Sequence, residues 1–125
     1  MAKTIAAAVL TVLLGACASM GVTSMVAKFE GGVLVDTAGM TLYTFDRDTP
    51  GSGKSVCNGP CIALWPALKA TDKDRASGDW SIVVRDDGSK QWAYKSKPVY
   101  FWVKDQKPGD KTGDGVNKVW HVIPG

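Results

Sequence analysis

The sequence LYTFDRD at residues 42–48 has a counterpart, VYFWVKD, at residues 99–105. In each copy, a tyrosine is followed two residues later by an aromatic residue and five residues later by an aspartate, and the copies lie 57 positions apart. This pattern predicts an internal repeat with halves at about residues 39–65 and 96–120. Because a lone three-stranded unit is marginal in water, we expect both halves to pack into one domain.

The hydrophobic pattern around the repeat is mostly that of β-strands. A period of two predicts short strands at residues 33–35, 40–45, 80–85, 91–94, 98–103 and 118–123. Residues 98–103 are apolar on both faces, so we predict that they form the central strand. A helix is predicted over residues 61–68, begun by Pro60 and cut short by Pro66. The predicted fold class is a mainly β, small antiparallel domain with one short helical segment.

The N-terminal segment has the pattern of an export signal. Lys3 precedes an uncharged run of ten residues, 5–14, which is about half the length needed to span a bilayer. Leu14-Gly15-Ala16-Cys17 resembles a bacterial lipobox, in which the cysteine is lipidated. A transmembrane anchor or an ordinary cleaved signal is the alternative. The predicted organisation is a lipoprotein signal peptide at 1–16, lipidated Cys17 and tether at 17–31, and a β-rich domain at 32–125.

The predicted location is the cell envelope. Acyl chains on Cys17 would hold the domain on a membrane. Ala18 stands where lipoproteins of this type carry an aspartate for inner-membrane retention, which favours the outer membrane, facing the periplasm, if the host has two membranes. Besides the membrane, the expected partner is an unknown protein or small-molecule ligand. Fifteen Lys and Arg against twelve Asp and Glu give a charge of +3, too mild to indicate nucleic-acid binding.

The other two cysteines are expected to form a disulfide. With Cys17 lipidated, Cys57 and Cys61 remain as an even pair in an exported protein. The intervening Asn-Gly-Pro favours a tight bend that brings the two sulfur atoms together. A redox or metal-binding pair and free thiols are the alternatives.

The repeated motif supplies the candidate binding residues. Residues two apart on a strand share a face, so Tyr43 lies beside Phe45 and Tyr100 beside Trp102. These rings can fill the core, which we expect, or form a platform for sugars, haem or nucleobases. The aspartates are expected to cap turns. The full set of motif and possible binding residues is Tyr43, Phe45, Asp48, Tyr100, Trp102, Asp105 and Trp120.

The sequence does not predict an enzyme or a resident cofactor. A chain of 125 residues excludes a multidomain enzyme and a full Rossmann or barrel scaffold. His121 is the only histidine, so a small hydrolase would depend on it as its imidazole base. The predicted role is a non-enzymatic binding or envelope-organising module. The alternative is a redox or metal/haem-binding envelope protein that uses Cys57, Cys61 and His121.

The doubled Tyr-x-aromatic-x-x-Asp motif resembles a family of small bacterial lipoproteins and secreted repeats. The resemblance extends over nearly all of residues 33–123. The family has no established biochemical activity, so the resemblance implies a fold and a location but no mechanism. Where the family often carries glycine before Lys97-Pro98, this chain has Ser96. The supporting motifs are Gly39 to Tyr43, Cys57-x3-Cys61, Trp65-Pro66, Arg85-x-Asp87-Gly88, Gln91 to Lys95 and Trp120-His121.

Overall fold

The structure is a computed structural model that describes residues 26–125. The predicted signal peptide, Cys17 and the first part of the predicted tether lie outside these residues. The elements, in chain order, are β1 (Ala27–Glu30), β2 (Val33–Asp36), β3 (Tyr43–Phe45), α1 (Pro60–Leu64), β4 (Lys69–Ala70), β5 (Trp80–Val84), β6 (Lys90–Tyr94), β7 (Lys97–Pro98), a 3₁₀ turn (Val116–Lys118) and β8 (Trp120–Val122). The fold is mainly β with one short α-helix in this part of the chain, as the sequence predicts.

The strands form three small antiparallel sheets. β1 pairs with β2, and β3 pairs with β8. In the third sheet, β6 lies between β5 on one edge and β4 and β7 on the other. Across residues 26–125, no helix is both long and apolar enough to cross a membrane.

The domain begins earlier than the boundary predicted at residue 32. Strand β1, Ala27–Glu30, pairs with β2 in register from Ala27 to Glu30, so these four residues belong to the domain and not to the tether. The ring of Phe29 packs edge-on against Tyr94, with the ring centroids 6.2 Å apart. The sequence interpretation missed this strand because it has only four residues, of which Lys28 and Glu30 are charged.

The predicted continuous strand at 98–103 was wrong in its extent. Strand β7 contains only Lys97–Pro98, and Tyr100 then forms isolated bridges with Tyr43 on one side and Ala67 on the other. The segment is central, as predicted, because its backbone is hydrogen-bonded on both sides. Pro98 has no amide hydrogen to donate to a neighbouring strand, and the ladder between β6 and β7 ends at this residue.

The interior consists of two apolar clusters, and the motif contributes to both. Tyr43 and Tyr100 lie in one cluster, while their preceding residues Leu42 and Val99 lie in the other. Successive side chains of an extended chain point in opposite directions, so each copy of the motif joins the two clusters. All four of these side chains are completely buried.

The predicted helix is shorter than residues 61–68 but begins and ends for the predicted reasons. Pro60 occupies its first turn, and the N–H of Trp65 closes the last turn by donating to the carbonyl of Cys61. Pro66 follows directly and cannot continue the helix. The end of the helix thereby positions Trp65 in the first cluster, where its ring packs against the motif residue Tyr43.

Candidate functional site

The two copies of the motif bind each other in a reciprocal way. The hydroxyl of Tyr43 donates to Oδ2 of Asp105 at 2.7 Å, and the hydroxyl of Tyr100 donates to Oδ2 of Asp48 at 2.5 Å. The two tyrosines also exchange backbone hydrogen bonds of 2.8 and 2.9 Å. Each tyrosine therefore uses the aspartate of the other repeat, and the pairing defines an approximate two-fold relation between the halves.

On the Asp48 side, the motif extends into a buried chain of hydrogen bonds. Nη1 of Arg85 donates to Oγ of Ser55 at 2.9 Å, and Ser55 lies 2.5 Å from the hydroxyl of Tyr100. Because a guanidinium can only donate and Tyr100 gives its proton to Asp48, Ser55 must donate to Tyr100. The order of donation is therefore Arg85 to Ser55 to Tyr100 to Asp48.

The two charged groups in this row of hydrogen bonds, Asp48 and Arg85, are buried and compensate each other. Burial raises the pKa of the Asp48 carboxyl, and hydrogen bonds from Tyr100 and the Val56 amide, with the Arg85 charge, oppose that rise. Burial also raises the pKa of the Tyr100 hydroxyl, and its bond to Asp48 raises it further. Tyr100 thus stays protonated and serves as a fixed donor.

Arg85 holds the disulfide loop as well as the motif. Its Nη1 also donates to Oε1 of Gln91 at 2.7 Å, and its Nη2 donates to the carbonyl of Cys57 and to Oδ1 of Asn58. The side chain is almost completely buried. A buried guanidinium with four named acceptors is a structural anchor, because each bond satisfies a donor that would be costly to leave unpaired.

Among residues 26–125, the hydrogen-bond partners of the Asp105 side chain are all uncharged. Oδ1 of Asp105 accepts from the amide and the hydroxyl of Thr112, at 2.9 and 2.6 Å. The amide of Gly113 donates to the hydroxyl of Tyr43 at 3.1 Å. Burial raises the pKa of Tyr43, and the bond to Asp105 raises it further. The two halves therefore share the Tyr–Asp pair but surround it with different residues.

The motif aromatics stack on one another. Ring centroids are 4.2 Å apart between Phe45 and Trp120, 3.8 Å between Trp120 and Trp65, and 4.0 Å between Trp65 and Trp102. Rings from the two repeats alternate along this four-ring stack. Trp65 and Trp120 are buried in its middle, while Phe45 and Trp102 are half-buried at its ends. The faces that a stacking ligand would need are thus largely occupied by other rings.

Cys57 and Cys61 are joined by a disulfide, with their Cα atoms 5.2 Å apart. Cys57 is completely buried in the motif cluster, and Cys61 is half-buried in the first turn of α1. The bridge closes the loop whose carbonyl binds Arg85. It therefore connects the start of the helix to the buried hydrogen-bond chain.

His121 lies on the opposite face of its strand from the aromatic stack. Its Nε2 is 2.8 Å from Oδ2 of Asp46, and both side chains are about half exposed. The structure does not bring His121 into the disulfide region. Within residues 26–125, no group of three or more His, Cys, Asp or Glu side chains is placed to hold a metal ion.

Sequence reasoning missed several residues that support the motif. Arg85 entered it only as part of a family pattern, and Ser55 and Thr112 did not enter it as motif partners. The sequence contains one sign that Ser55 and Thr112 are equivalent: each follows the motif aspartate of its repeat by seven positions. Side chains that meet through tertiary packing leave no periodicity in the sequence.

Comparison with known proteins gives one match. A family model described as a secreted repeat of unknown function matches the chain twice, over residues 24–69 and 81–123. These ranges contain the two copies of the motif and extend beyond the halves predicted from spacing. No curated protein and no solved structure matches the chain.

Proposed function

The chain belongs to the Lipoprotein_15 family, a secreted repeat of unknown function, and from this membership we propose that it is a lipid-anchored, non-enzymatic binding or envelope-organising module. The family places the repeat outside the cytoplasm. Cys17, directly after the apolar run, supports an acyl anchor, and Ala18 supports delivery to the outer membrane, facing the periplasm, in a host with two membranes.

The observation that carries the proposal is the reciprocal pairing of the motif. The hydroxyls of Tyr43 and Tyr100 are buried and donate to the two motif aspartates. Side chains with their polar atoms satisfied internally stabilise a scaffold and are poor candidates for chemistry on a substrate. The repeat is therefore a rigid body whose ligand contacts belong on its surface.

The hydrolase and redox alternatives receive less support. A hydrolase needs a nucleophile hydrogen-bonded to its base. The partner of His121 is Asp46, and Thr44, which faces His121 in the β3–β8 register, makes no hydrogen bond to it within the described structure. A redox role would have to use a disulfide in which Cys57 is buried and held through Arg85.

The anchor is tested by membrane fractionation. The Cys17→Ser variant should leave the membrane fraction and become soluble in the exported compartment, because it lacks the lipid attachment site. The matched control, Cys57→Ala with Cys61→Ala, removes the other two cysteines and should remain in the membrane fraction. Membrane retention of the Cys17→Ser variant would contradict lipid anchoring.

The non-enzymatic role is tested on the purified oxidised protein. We expect no free thiol in residues 26–125, no bound metal and no visible absorbance. A Soret band, stoichiometric metal, or a Cys57–Cys61 reduction potential well above that of a structural disulfide would support the alternative. Turnover of an envelope ester or amide that disappears in a folded His121→Ala variant would establish a hydrolase and overturn the proposal.

A further inference from the structure

Strand β5 has an unpaired outer edge. It pairs with β6 on one side, and among residues 26–125 no strand is paired with its other side. Just after β5, the amide of Arg85 donates to the carbonyl of Ser89 at 2.8 Å, so the backbone of Arg85 bonds across the hairpin toward β6. Because backbone groups alternate in direction along an antiparallel strand, those of Ile82 and Val84 point away from β6.

The outer edge is open over only part of its length. Trp80, the first residue of β5, exchanges two backbone hydrogen bonds of 2.9 Å with Ser77, so its outward groups are already bonded. The outward N–H and C=O groups of Ile82 and Val84 have no backbone partner within the described part of the chain. Each copy of the chain therefore offers the donor and the acceptor of both residues along this edge.

This edge lacks the protection that exposed edges usually carry. Natural proteins blunt their edge strands with charged side chains, proline or bulges. The other outlying strand, β1, contains Lys28 and Glu30, whose side chains form an ion pair of 3.4 Å. Strand β5 has the sequence Trp-Ser-Ile-Val-Val without a charge, and its last residue, Val84, is 46% exposed. The outer edge of β5 is therefore suited to pairing with another strand.

We propose that the open edge of β5 pairs with the same edge of a second copy of this chain. In an antiparallel two-fold arrangement, Ile82 lies opposite Val84 of the second copy, and Val83 lies opposite its own counterpart. Each Ile82–Val84 pair exchanges two backbone hydrogen bonds, so every open group gains a partner. The side chains of Ile82 and Val84 share one face of the strand, so the pairing also covers the exposed Val84.

The length of the open edge matches β5 itself. Ser77 blocks the edge at Trp80, and at that point β5 of the second copy has already ended at Val84. Its chain then turns toward its own β6 through residues 85–88, away from the edge that it has paired with. A longer extended peptide would instead continue along the edge and meet Ser77. The blocked end thus favours a second copy over an extended peptide.

The absence of charge in β5 also fits a second copy. A two-fold axis brings identical segments together, so a charged strand would place like charges near one another, which destabilises a pair of strands. Trp80 to Val84 carry none, so two copies meet without this repulsion. This pairing goes beyond the proposed function and does not depend on lipid anchoring.

The test is sedimentation equilibrium on the full chain carrying Cys17→Ser, so that acyl chains cannot associate, at about 10 μM to about 1 mM protein. We expect a reversible equilibrium between monomer and dimer in this range. Hydrogen exchange followed by NMR should show that the amides of Ile82 and Val84 become protected as the dimer forms. The amides of Ser81 and Val83, which point toward β6, should be protected at every concentration.

Two variants of Val84 test the interface directly. Val84→Lys should weaken dimerisation by about tenfold or more, because it places an ammonium group beside Ile82 of the other copy. Val84→Pro should also weaken it, because it removes an outward amide while leaving the β5–β6 ladder intact. The matched control is Val103→Lys, at a valine that is 47% exposed, and it should leave dimerisation unchanged. Near-ultraviolet circular dichroism confirms that each variant is folded.

Four results would overturn the inference. The protein could remain monomeric up to about 1 mM, or Val84→Lys and Val103→Lys could weaken the dimer equally. Dimerisation without protection of the Ile82 and Val84 amides would place the interface elsewhere. Protection of these amides that does not change with protein concentration would show that the edge is covered within one molecule. Because the tested chain lacks the acyl attachment site, none of these results bears on the anchor.

Discussion

At the residue scale, the buried tyrosines link stability to alkaline pH. Burial, reinforced by the bonds to Asp105 and Asp48, raises the pKa of Tyr43 and Tyr100 above the ordinary value of about 10. Above about pH 10, such a tyrosine keeps its hydroxyl proton in the folded protein, whereas the same tyrosine loses its proton in the unfolded chain. Its contribution to the free energy of unfolding is complete below about pH 10 and is lost as the pH rises through the folded value.

We therefore expect the free energy of unfolding to fall above about pH 10, by up to about 1.4 kcal/mol per pH unit for each of the two tyrosines. Urea titrations at a series of alkaline pH values measure this slope. Tyr43→Phe with Tyr100→Phe should be less stable at neutral pH but should show a flatter alkaline slope. Tyr94→Phe, outside the motif, should keep the slope, and a wild-type protein with no alkaline loss would contradict the assignment.

At the element scale, the β6–β7 hairpin has the geometry of a type I′ turn with an unfavourable residue in it. Lys95 and Ser96, its two central residues, have φ values of 48° and 73°. Such a turn matches the twist of the flanking strands but favours glycine at its second central position. The family often has glycine at this position. Ser96 therefore leaves strain in the turn.

Replacing Ser96 by glycine should raise the free energy of unfolding by about 1 kcal/mol, because it removes the Cβ penalty of the left-handed conformation. Chemical denaturation at neutral pH measures the change. Ser81→Gly, at the second residue of β5, is the matched control and should lower the same quantity by about 0.5–1 kcal/mol. A loss of stability in Ser96→Gly similar to that in Ser81→Gly would show that the turn is not strained.

The elements also show which features a sequence can predict. The helix start at Pro60 and its end before Pro66 follow from local chemistry, and the predicted disulfide is present. The mainly β fold and the repeat follow from periodicity. The extent of the strand at 98–103 does not, because pairing there depends on where Tyr43 and Ala67 lie in space.

The candidate site was predictable only as a set of residues. The motif identified Tyr43, Asp48, Tyr100 and Asp105, but not that each tyrosine would bind the aspartate of the other half. Spacing within one copy favours a contact within that copy, whereas the observed hydrogen bonds join residues 62 and 52 positions apart.

At the scale of the whole molecule, the cross-pairing makes the two repeats interdependent. Each half contains a tyrosine whose acceptor belongs to the other half, and the four-ring stack alternates between them. An isolated half would expose a row of aromatic rings and leave its aspartate without the tyrosine donor. Neither half should be stable alone, although both have the same motif.

This interdependence is tested by dividing the protein into two fragments between Asp72 and Lys73. Both residues are exposed and lie in the connection between the repeats. Fragments 26–72 and 73–125 should each be unfolded by near-ultraviolet circular dichroism and should regain the signal of the intact protein when mixed at one to one. Tyr100→Phe in the second fragment should weaken association by about tenfold, because it removes a buried bond to a carboxylate and leaves Asp48 short of a donor. Lys97→Ala in the same fragment should not weaken it. Native-like folding of either fragment by itself would contradict the interdependence, since the motif would then be satisfied within one repeat.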